Sequence, residues 1–471
     1  MAIGRGLYKY VATEHVLIVY MLAYSPIIPT QTQYIEKRII EQLGVINFTQ
    51  SKCDANKSSP EYRLREKVQQ ESSVWSLYLT ATLALAVIFS ANIWGALSDK
   101  YGRHVALVMP CVGLAANSAV NLLVVYFHLP LYVLIFGSLA QGIGGDITTF
   151  IVGCAGYNSD VTMPESRERT IRFILIDVFY CFAGSICQFS LGFIIRTFGF
   201  EAPYLSVIGF VVITAGFIIC LLPDRRVADT VTFVNSREEE VPSNPLNIVK
   251  NVRRVFTQDK LRGWLLAGFN YIIFSNILVS VAWVAISVLY TTGEPFCMDP
   301  LYEGYYQGTM NGIYGIGVLF GGTVVCKYLS KFWSMHLASL TIVASLVITA
   351  VAQNYLTLYL GLAAGFFTFL TTPLCRTSMA NLVGPNQQGV VFAFSGCLMS
   401  LAGFLSPIIF NAIYSSTLHF MTGFVYLTMA LLVLISWGVI VLLHIFEPKR
   451  RNCYVAIDGQ DVAGVNSDKC A

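Results

Sequence analysis

Long apolar runs alternate with short polar segments along almost the whole chain. A helix needs about 20 mostly apolar residues to cross a bilayer, and twelve runs reach that length. The pattern therefore predicts an all-α membrane protein with twelve transmembrane helices. The predicted spans cover residues 14–34, 74–97, 105–127, 131–156, 171–195, 203–223, 263–290, 304–326, 335–353, 355–374, 389–413 and 422–445.

A polar segment in the middle of the chain separates the apolar runs into two sets of six. This 6+6 pattern is typical of secondary transporters, in which two bundles rock around a central site. We expect an N-terminal six-helix bundle at 1–223 and a cytoplasmic linker at 224–262. A C-terminal six-helix bundle at 263–445 and a cytoplasmic tail at 446–471 follow.

The end of the linker has its own periodicity. Ile248, Val252 and Val255 recur at helical spacing, while Lys250 and Arg253 lie on the other side of the same helix. This pattern predicts a basic amphipathic helix on the inner membrane surface. A solvated linker with accidental periodicity is the alternative.

The lysine and arginine residues indicate the orientation of the chain in the membrane. With the N-terminus in the cytosol, 22 of the 30 basic residues fall in cytoplasmic segments. The opposite orientation would place the basic linker outside, which the positive-inside rule disfavours. We therefore expect both termini in the cytosol and a large outer loop at 35–73.

The predicted outer loop carries further signals of an extracytoplasmic segment. Asn47 and Asn56 begin its two N-glycosylation sequons. Cys53 lies in the same loop, and Cys297 lies in the predicted outer loop after span seven. Two cysteines in an oxidising compartment predict a disulfide that ties the two halves together. Two free thiols are the alternative.

The composition agrees with a membrane protein. Hydrophobic residues make up 55% of the chain, charged residues only 12%, and the mean hydropathy is +0.63. A soluble domain carries about twice that charged fraction. The net charge of +3 is too small to indicate nucleic-acid binding. We find no metal-ligand spacing, phosphate-binding loop or catalytic motif, and thus expect no metal, no cofactor, no enzyme and no ATP-driven pump.

A ten-residue motif after span two resembles the loop 2–3 signature of the major facilitator superfamily. Gly95 permits close helix packing, and Gly102 permits a sharp turn. Asp99 is a fixed anion, and Arg103 is a permanent cation for a carboxylate across the bundle. The resemblance implies that these four residues form a gating motif in a major facilitator fold.

Five further motifs resemble the proton-coupled folate transporter family (solute carrier family 46). Members of this family carry organic solutes, including reduced folates and, in other branches, muropeptide-like or amphipathic conjugates. The resemblance also implies the Cys53–Cys297 bridge and glycans on the outer loop. The motifs are PTQTQY at 29–34, GGD at 144–146, RTIRFILID at 169–177, PFC at 295–297 with EGY at 303–305, and PLCR at 373–376.

Two carboxylates lie deep in predicted spans, where each ionisable residue costs about 2.5–3.5 kcal/mol on insertion scales. Burial favours the protonated form of a carboxyl group, so such a group can take up a proton from an acidic compartment. We expect Asp177 and Asp146 to couple transport to protons. The family has a proton-coupling Glu at the position of Asp177. The alternatives are a structural ion pair for Asp177 and, for Asp146, either a bridge to Arg103 or bonds to polar neighbours in its own bundle that hold the inner gate.

Arg376 is the deepest basic residue of the second half, and a guanidinium can hold an acidic group with two hydrogen bonds. The resemblance aligns it with an arginine implicated in coupling and substrate binding. An arginine that reaches back to the inner surface is the alternative. The other predicted substrate-binding residues, each with a helix–helix hydrogen bond as its alternative, are Gln33, Tyr34, Gln141, Asn270, Asn311 and Tyr314.

Two positions depart from the family's folate carriers. Ser138 and Ser280 occupy positions where those carriers have an arginine in span four and a histidine in span seven. Folate carries at least two negative charges and would lose both of these cationic partners. We therefore expect an organic anion or amphipathic solute rather than folate.

The leading hypothesis is a proton-coupled symporter whose partners are an organic solute, protons and the lipid bilayer. A proton-coupled exporter and a non-transporting receptor on the same fold are the alternatives. Span five lacks the proline-containing motif of drug antiporters, which favours symport. In the tail, Tyr454 and Ile457 form a Tyr-x-x-Ile motif that resembles a clathrin-adaptor sorting signal. A chance match is the alternative for this motif. Because both remain open, we expect the protein in the plasma membrane or in the membrane of the endosome or lysosome.

Overall fold

The computed structural model describes residues 13, 15–43, 60–163, 166–222, 248–292, 295–298, 300–417 and 421–458. These residues form helices joined by short turns. Within them, eleven helices are long and apolar enough to cross a membrane. The predicted all-α fold of two helical bundles is confirmed, and the protein is a multi-pass membrane protein.

The first half contains six predicted spans, of which the first and the fourth are each divided into two helices. Each remaining span is a single helix. The elements are α1 at 15–24, α2 at Ile27–Gln42, α3 at Pro60–Tyr101, α4 at His104–Tyr126, α5 at Val133–Gly144, α6 at Asp146–Val161, α7 at Arg167–Phe198 and α8 at Glu201–Leu221.

The second half follows a short linker helix and again contains divided spans. The eighth ends in a π-helical turn, and the tenth is interrupted by a 3₁₀ turn. The elements are the linker helix α9 at Ile248–Thr257, then α10 at Lys260–Thr292, α11 at Pro300–Phe320, a π-helix at Gly321–Val325, α12 at Cys326–Tyr328, α13 at Lys331–Ala350, α14 at Tyr355–Ala364, a 3₁₀ turn at Thr368–Leu370, α15 at Thr371–Leu382, α16 at Pro385–Thr417 and α17 at Phe424–Asp458.

The breaks in the first and fourth spans follow from local sequence. A turn at Ser25 and Pro26 ends α1, because proline has no backbone N–H to donate to the preceding helical turn. In the fourth span, Gly145 has a φ of 97° and Asp146 a φ of 51°. Glycine adopts such positive angles without steric cost, whereas aspartate does so only uncommonly. The turn separates α5 from α6 and places Asp146 at the start of α6.

The buried apolar residues show where the bundles meet. One large cluster includes residues of both bundles, such as Ile174 of α7 and Phe392 of α16. Two further clusters belong to one bundle each: the cluster around Tyr34 to the first and the cluster around Trp283 to the second. The bundles are therefore packed against each other, and a cavity remains between them.

Several sequence predictions fall at the edges of the described chain. Helix α9 covers the predicted amphipathic segment, with Val255 buried. Tyr454 and Ile457 lie in the last turns of α17, and the sorting signal stays a prediction. Asn47, Cys53 and Asn56 lie outside the described residues.

Candidate functional site

A cavity of about 2170 Å³ lies between the two bundles. It extends to Glu41 of α2 and Cys297, so it opens at the end that carries the loops predicted as outer. Between the opening and the floor, the cavity wall exposes apolar side chains from both bundles, which suits the apolar part of a solute. These side chains include Ile28, Leu77, Phe189, Phe193, Val284, Val288, Tyr305 and Ile408.

An ion pair joins the two bundles at the floor of the cavity. Arg376 of α15 donates from Nη1 to both carboxylate oxygens of Asp177 of α7, at 2.9 and 3.1 Å. The side chains of Arg376 and Asp177 are only 4% and 13% exposed. Both line the cavity. The alternative of an ion pair at Asp177 thus matches the geometry, and the partner is the very arginine predicted to bind substrate.

Asp146 is held by hydrogen bonds within the first bundle. Gln141 Nε2 donates to Asp146 Oδ1 at 2.5 Å, and the Tyr24 hydroxyl donates to Oδ2 at 3.5 Å. Asp146 and Tyr24 line the cavity, so the carboxylate is reachable from it.

Two tyrosines lie near the two carboxylates. Tyr24 and Tyr180 both line the cavity. Tyr180 of α7 is within electrostatic range of Asp177 and Asp146. Sequence reasoning missed both tyrosines, although Tyr24 directly precedes the proline break of the first span. The floor of the cavity thus carries two carboxylates, one guanidinium and two phenols.

The remaining predicted substrate-binding residues divide into two groups. Gln33 and Asn311 line the cavity, as Arg376 does. The other four lie behind its wall, where they do not reach a solute. The alternative of a helix–helix hydrogen bond matches three of them: Tyr34, which donates to the Val124 carbonyl; Gln141, which accepts from Asn117; and Asn270, which accepts from Ser395. The fourth, Tyr314, packs on Trp283.

The end of the molecule opposite the opening is closed by contacts between the bundles. Arg169 Nη1 of α7 donates to Asn381 Oδ1 of α15 at 3.0 Å. A Cβ added to Gly95 of α3 would lie 2.5 Å from Cβ of Ala393 of α16. Only glycine permits this approach, so the predicted packing role of Gly95 agrees with the structure.

The loop 2–3 motif forms an ion pair at this closed end. Arg103 donates from Nε to Asp160 Oδ2 at 2.7 Å and from Nη2 to Oδ1 at 3.3 Å. The alternative that Asp146 bridges to Arg103 is therefore wrong, because Asp160 occupies the guanidinium at the other end of α6. Gly102 has a φ of 106°, which suits the predicted turn. The side chain of Asp99 lies outside the described part of the structure.

Cys297 lies at the mouth of the cavity and is disulfide-bonded. Its predicted partner, Cys53, lies outside the described residues. The Cys53–Cys297 pairing therefore stays a prediction. Among the residues whose side chains the structure describes, eight other cysteines form no disulfide, and most of them are buried in helices.

Solved structures show the same fold. The human organic anion transporter MFSD10 (TETRAN) superposes with a TM-score of 0.63 at 16% identity, over 92% of this chain and 99% of its own. The Escherichia coli fucose:proton symporter FucP gives a TM-score of 0.65 at 13% identity, over the same shares of 92% and 99%. At these identities the likeness concerns the fold alone.

Relatives and a family profile identify the group. The lysosomal proton-coupled steroid conjugate and bile acid symporter of Gallus gallus is 26% identical over 444 residues, 92% of this chain and 93% of its own. The proton-coupled folate transporter of Rattus norvegicus is 27% identical over 400 residues, 85% of this chain and 84% of its own. These relatives confirm the resemblance to solute carrier family 46, and they are transporters rather than enzymes. Because the Major Facilitator Superfamily profile matches residues 69–407, most of the chain, the protein belongs to that superfamily.

Proposed function

We propose that the protein is a proton-coupled symporter of an amphipathic organic anion. Its relatives carry names that specify steroid conjugates, bile acids and folate as solutes and protons as the coupled ion. The observation that carries the proposal is the ion pair between Asp177 and Arg376. At this contact the Asp177 carboxylate and an anionic solute compete for Arg376, and a proton on Asp177 decides the outcome in favour of the solute.

The competition follows from the charges. While Asp177 is ionised, it occupies Arg376 and keeps the guanidinium from other anions. A proton on Asp177 removes the negative charge and weakens the pair, because the carboxyl group no longer attracts the cation. Arg376 is then free to hold the sulfate or carboxylate of a solute. Solute binding at Arg376 thus requires prior protonation of Asp177.

The same step couples protons to movement of the bundles. The pair links α7 of the first bundle to α15 of the second across the cavity floor. The cavity opens at the end predicted as outer, which is the acidic side in an endosome or lysosome. After protonation and solute binding, the bundles close around the loaded site and open at the other end. Loss of the proton at cytosolic pH restores the pair, which displaces the solute.

The cavity favours an amphipathic solute over folate. Between its floor and its opening the wall is mostly apolar, with Lys37 and Arg196 near the mouth, and Arg376 is the one cation among the described floor residues. Ser280, which replaces the histidine of the folate carriers, lines the cavity, whereas Ser138 is buried behind the wall. A rigid apolar body with a single acidic group matches this distribution better than a dianion does. A steroid sulfate or a conjugated bile acid has this character.

We place the protein in the endosomal or lysosomal membrane with both termini in the cytosol. The relative from Gallus gallus is named as lysosomal, and the Tyr454 motif would supply the adaptor contact for sorting. Glycans at Asn47 and Asn56 would then lie on the luminal side.

Uptake of labelled estrone 3-sulfate and taurocholate tests the proposal, with the protein expressed at the cell surface or reconstituted in liposomes. We expect uptake to be several-fold larger at an outer pH of about 5.5 than at about 7.5. Asp177→Asn removes the titrating group and frees Arg376 at both pH values. Its uptake should therefore differ between the two pH values by much less than that of the parent.

Asp160→Asn is the matched control, since Asp160 pairs with Arg103 outside the cavity. It should change the amount of uptake and leave the acid stimulation intact. Normal acid stimulation in Asp177→Asn would contradict the coupling role. Outward movement of solute driven by an inward proton gradient would favour the exporter. Binding without any movement of solute would favour the receptor.

A further inference from the structure

A row of buried carboxamides crosses the first bundle and ends on Asp146. Gln31 Nε2 of α2 donates to Asn121 Oδ1 at 3.1 Å. Asn121 Nδ2 donates to Asn117 Oδ1 at 2.7 Å, and Asn117 Nδ2 donates to Gln141 Oε1. Gln141 Nε2 then donates to Asp146 Oδ1. We call these four side chains, Gln31, Asn121, Asn117 and Gln141, the amide chain.

The amide chain is deeply buried. Asn121, Asn117 and Gln141 are 1%, 2% and 4% exposed, and Gln31 is 9% exposed. Buried amides are costly unless they are hydrogen-bonded, so apolar side chains would pack a helical bundle at less cost. The ionised carboxylate of Asp146 can only accept, which fixes the direction of every amide in the row. Here each NH₂ group faces the next residue toward Asp146, so the bond dipoles add in one direction.

The consequence lies at the two oxygens of Asp146. Oδ1 is occupied by the NH₂ group of Gln141, which can only donate in this arrangement. A proton that binds Asp146 is thereby directed to Oδ2, the oxygen beside the Tyr24 hydroxyl. Aligned donors also favour the charged form of the carboxylate, which lets Asp146 release its proton despite burial.

We infer that the amide chain is a set of positioning residues that presents Asp146 Oδ2 to the cavity as a second proton site. The inference rests on the proposed proton coupling and adds a role for four residues that do not touch solute. Several other titratable groups lie around Asp146. They are Tyr20 and Tyr24 of α1, Cys111 of α4, Cys154 of α6, and Tyr180 and Asp177 of α7.

The test compares a break in the amide chain with a break elsewhere. Asn117→Leu removes the donor to Gln141 with little change in volume. Asn270→Leu is the matched control, since Asn270 is a 2% exposed amide of the second bundle that bonds Leu266 and Ser395. Both variants lose a buried amide network, but only the first is connected to Asp146.

Infrared difference spectra of the purified full chain between acid and neutral pH report the protonated carboxyl groups without any solute. The band that disappears in Asp146→Asn belongs to Asp146. We expect its titration midpoint to move to higher pH by about half a unit in Asn117→Leu, because a donor that favours the charged form is lost. Asn270→Leu should leave the midpoint in place. An unchanged midpoint in Asn117→Leu would overturn the inference.

Gln31→Leu provides a second variant in case Asn117→Leu does not fold. It removes the outermost and most exposed link, so the shift should have the same sign and be smaller. Shifts that do not decrease from Asn117 to Gln31 would also contradict the inference. Acid-stimulated uptake of estrone 3-sulfate is measured in parallel. If the infrared midpoint moves while the parent shows no acid-stimulated uptake, the proposed function fails and the amide chain stands.

Discussion

The two carboxylates of the cavity floor are stabilised in different ways. Asp177 faces a full positive charge from the opposite bundle, through two bonds from Arg376. Asp146 faces only neutral donors, and both Gln141 and Tyr24 belong to its own bundle. The first carboxylate therefore links the bundles, whereas the second is stabilised entirely within one of them.

This difference assigns different consequences to protonation. A proton on Asp177 cancels the attraction that holds two bundles together and releases a cation. A proton on Asp146 Oδ2 leaves the bond from Gln141 intact and breaks nothing between the bundles. Asp177 is thus suited to act as the switch of the transport cycle. Asp146 is suited to take up a proton without changing the conformation.

Among the variants that test this difference between the two carboxylates, Arg376→Ala should have the largest effect. It leaves Asp177 buried without its cation, and loss of one partner of a buried pair costs about 3–5 kcal/mol. We expect a large fall in the melting temperature of the purified protein at neutral pH and loss of transport. At low pH the fall should be smaller, because a protonated Asp177 needs no partner.

The double variant Asp177→Asn with Arg376→Gln separates stability from coupling. It contains no buried charge at this position, so its melting temperature should recover toward that of the parent. Acid-stimulated uptake should not recover. Arg103→Ala, at the pair with the more exposed Asp160 (34%), should lower the melting temperature less. If Arg376→Ala and Arg103→Ala lowered the melting temperature equally, the pair between Asp177 and Arg376 would not be stabilised as a buried one.

A smaller effect is expected from Asp146→Asn. The new amide oxygen can still accept the bond from Gln141, so the packing of the first bundle is preserved. Because the switch at Asp177 is intact, uptake should still be stimulated by acid. The rise of uptake with falling pH should become shallower, with a Hill coefficient for protons that decreases by about one. A curve of unchanged steepness would show that Asp146 does not take up a transported proton.

The helices and the interior position of the two carboxylates could be predicted from the sequence. Runs of about 20 apolar residues determine spans almost alone, and the cost of a charge in hydrocarbon singles out Asp146 and Asp177. Proline at 26 and the Gly144–Gly145 pair signal the breaks of the first and fourth spans. How these breaks turn the neighbouring side chains could not be derived without the backbone conformation.

The partners of the site residues could not be predicted. Asp177 and Arg376 lie 199 positions apart, and Gln31 and Asn121 lie 90 apart. Such contacts depend on how helices are rotated and paired, which an apolar pattern does not specify. For the same reason Tyr34 and Tyr314 were expected in the cavity, although both are directed into the interior of a bundle.

The most delicate contact on the two carboxylates is the hydroxyl of Tyr24, at 3.5 Å from Asp146 Oδ2. A bond of this length is weak, so Tyr24→Phe should move the pH of half-maximal uptake upward by only a few tenths of a unit. The sign follows because the lost donor favours the ionised carboxylate. In an Asp146→Asn background the same substitution should have no effect on that pH. A shift that persists there would place the action of Tyr24 on Asp177 instead, and the two carboxylates would no longer be independent proton sites.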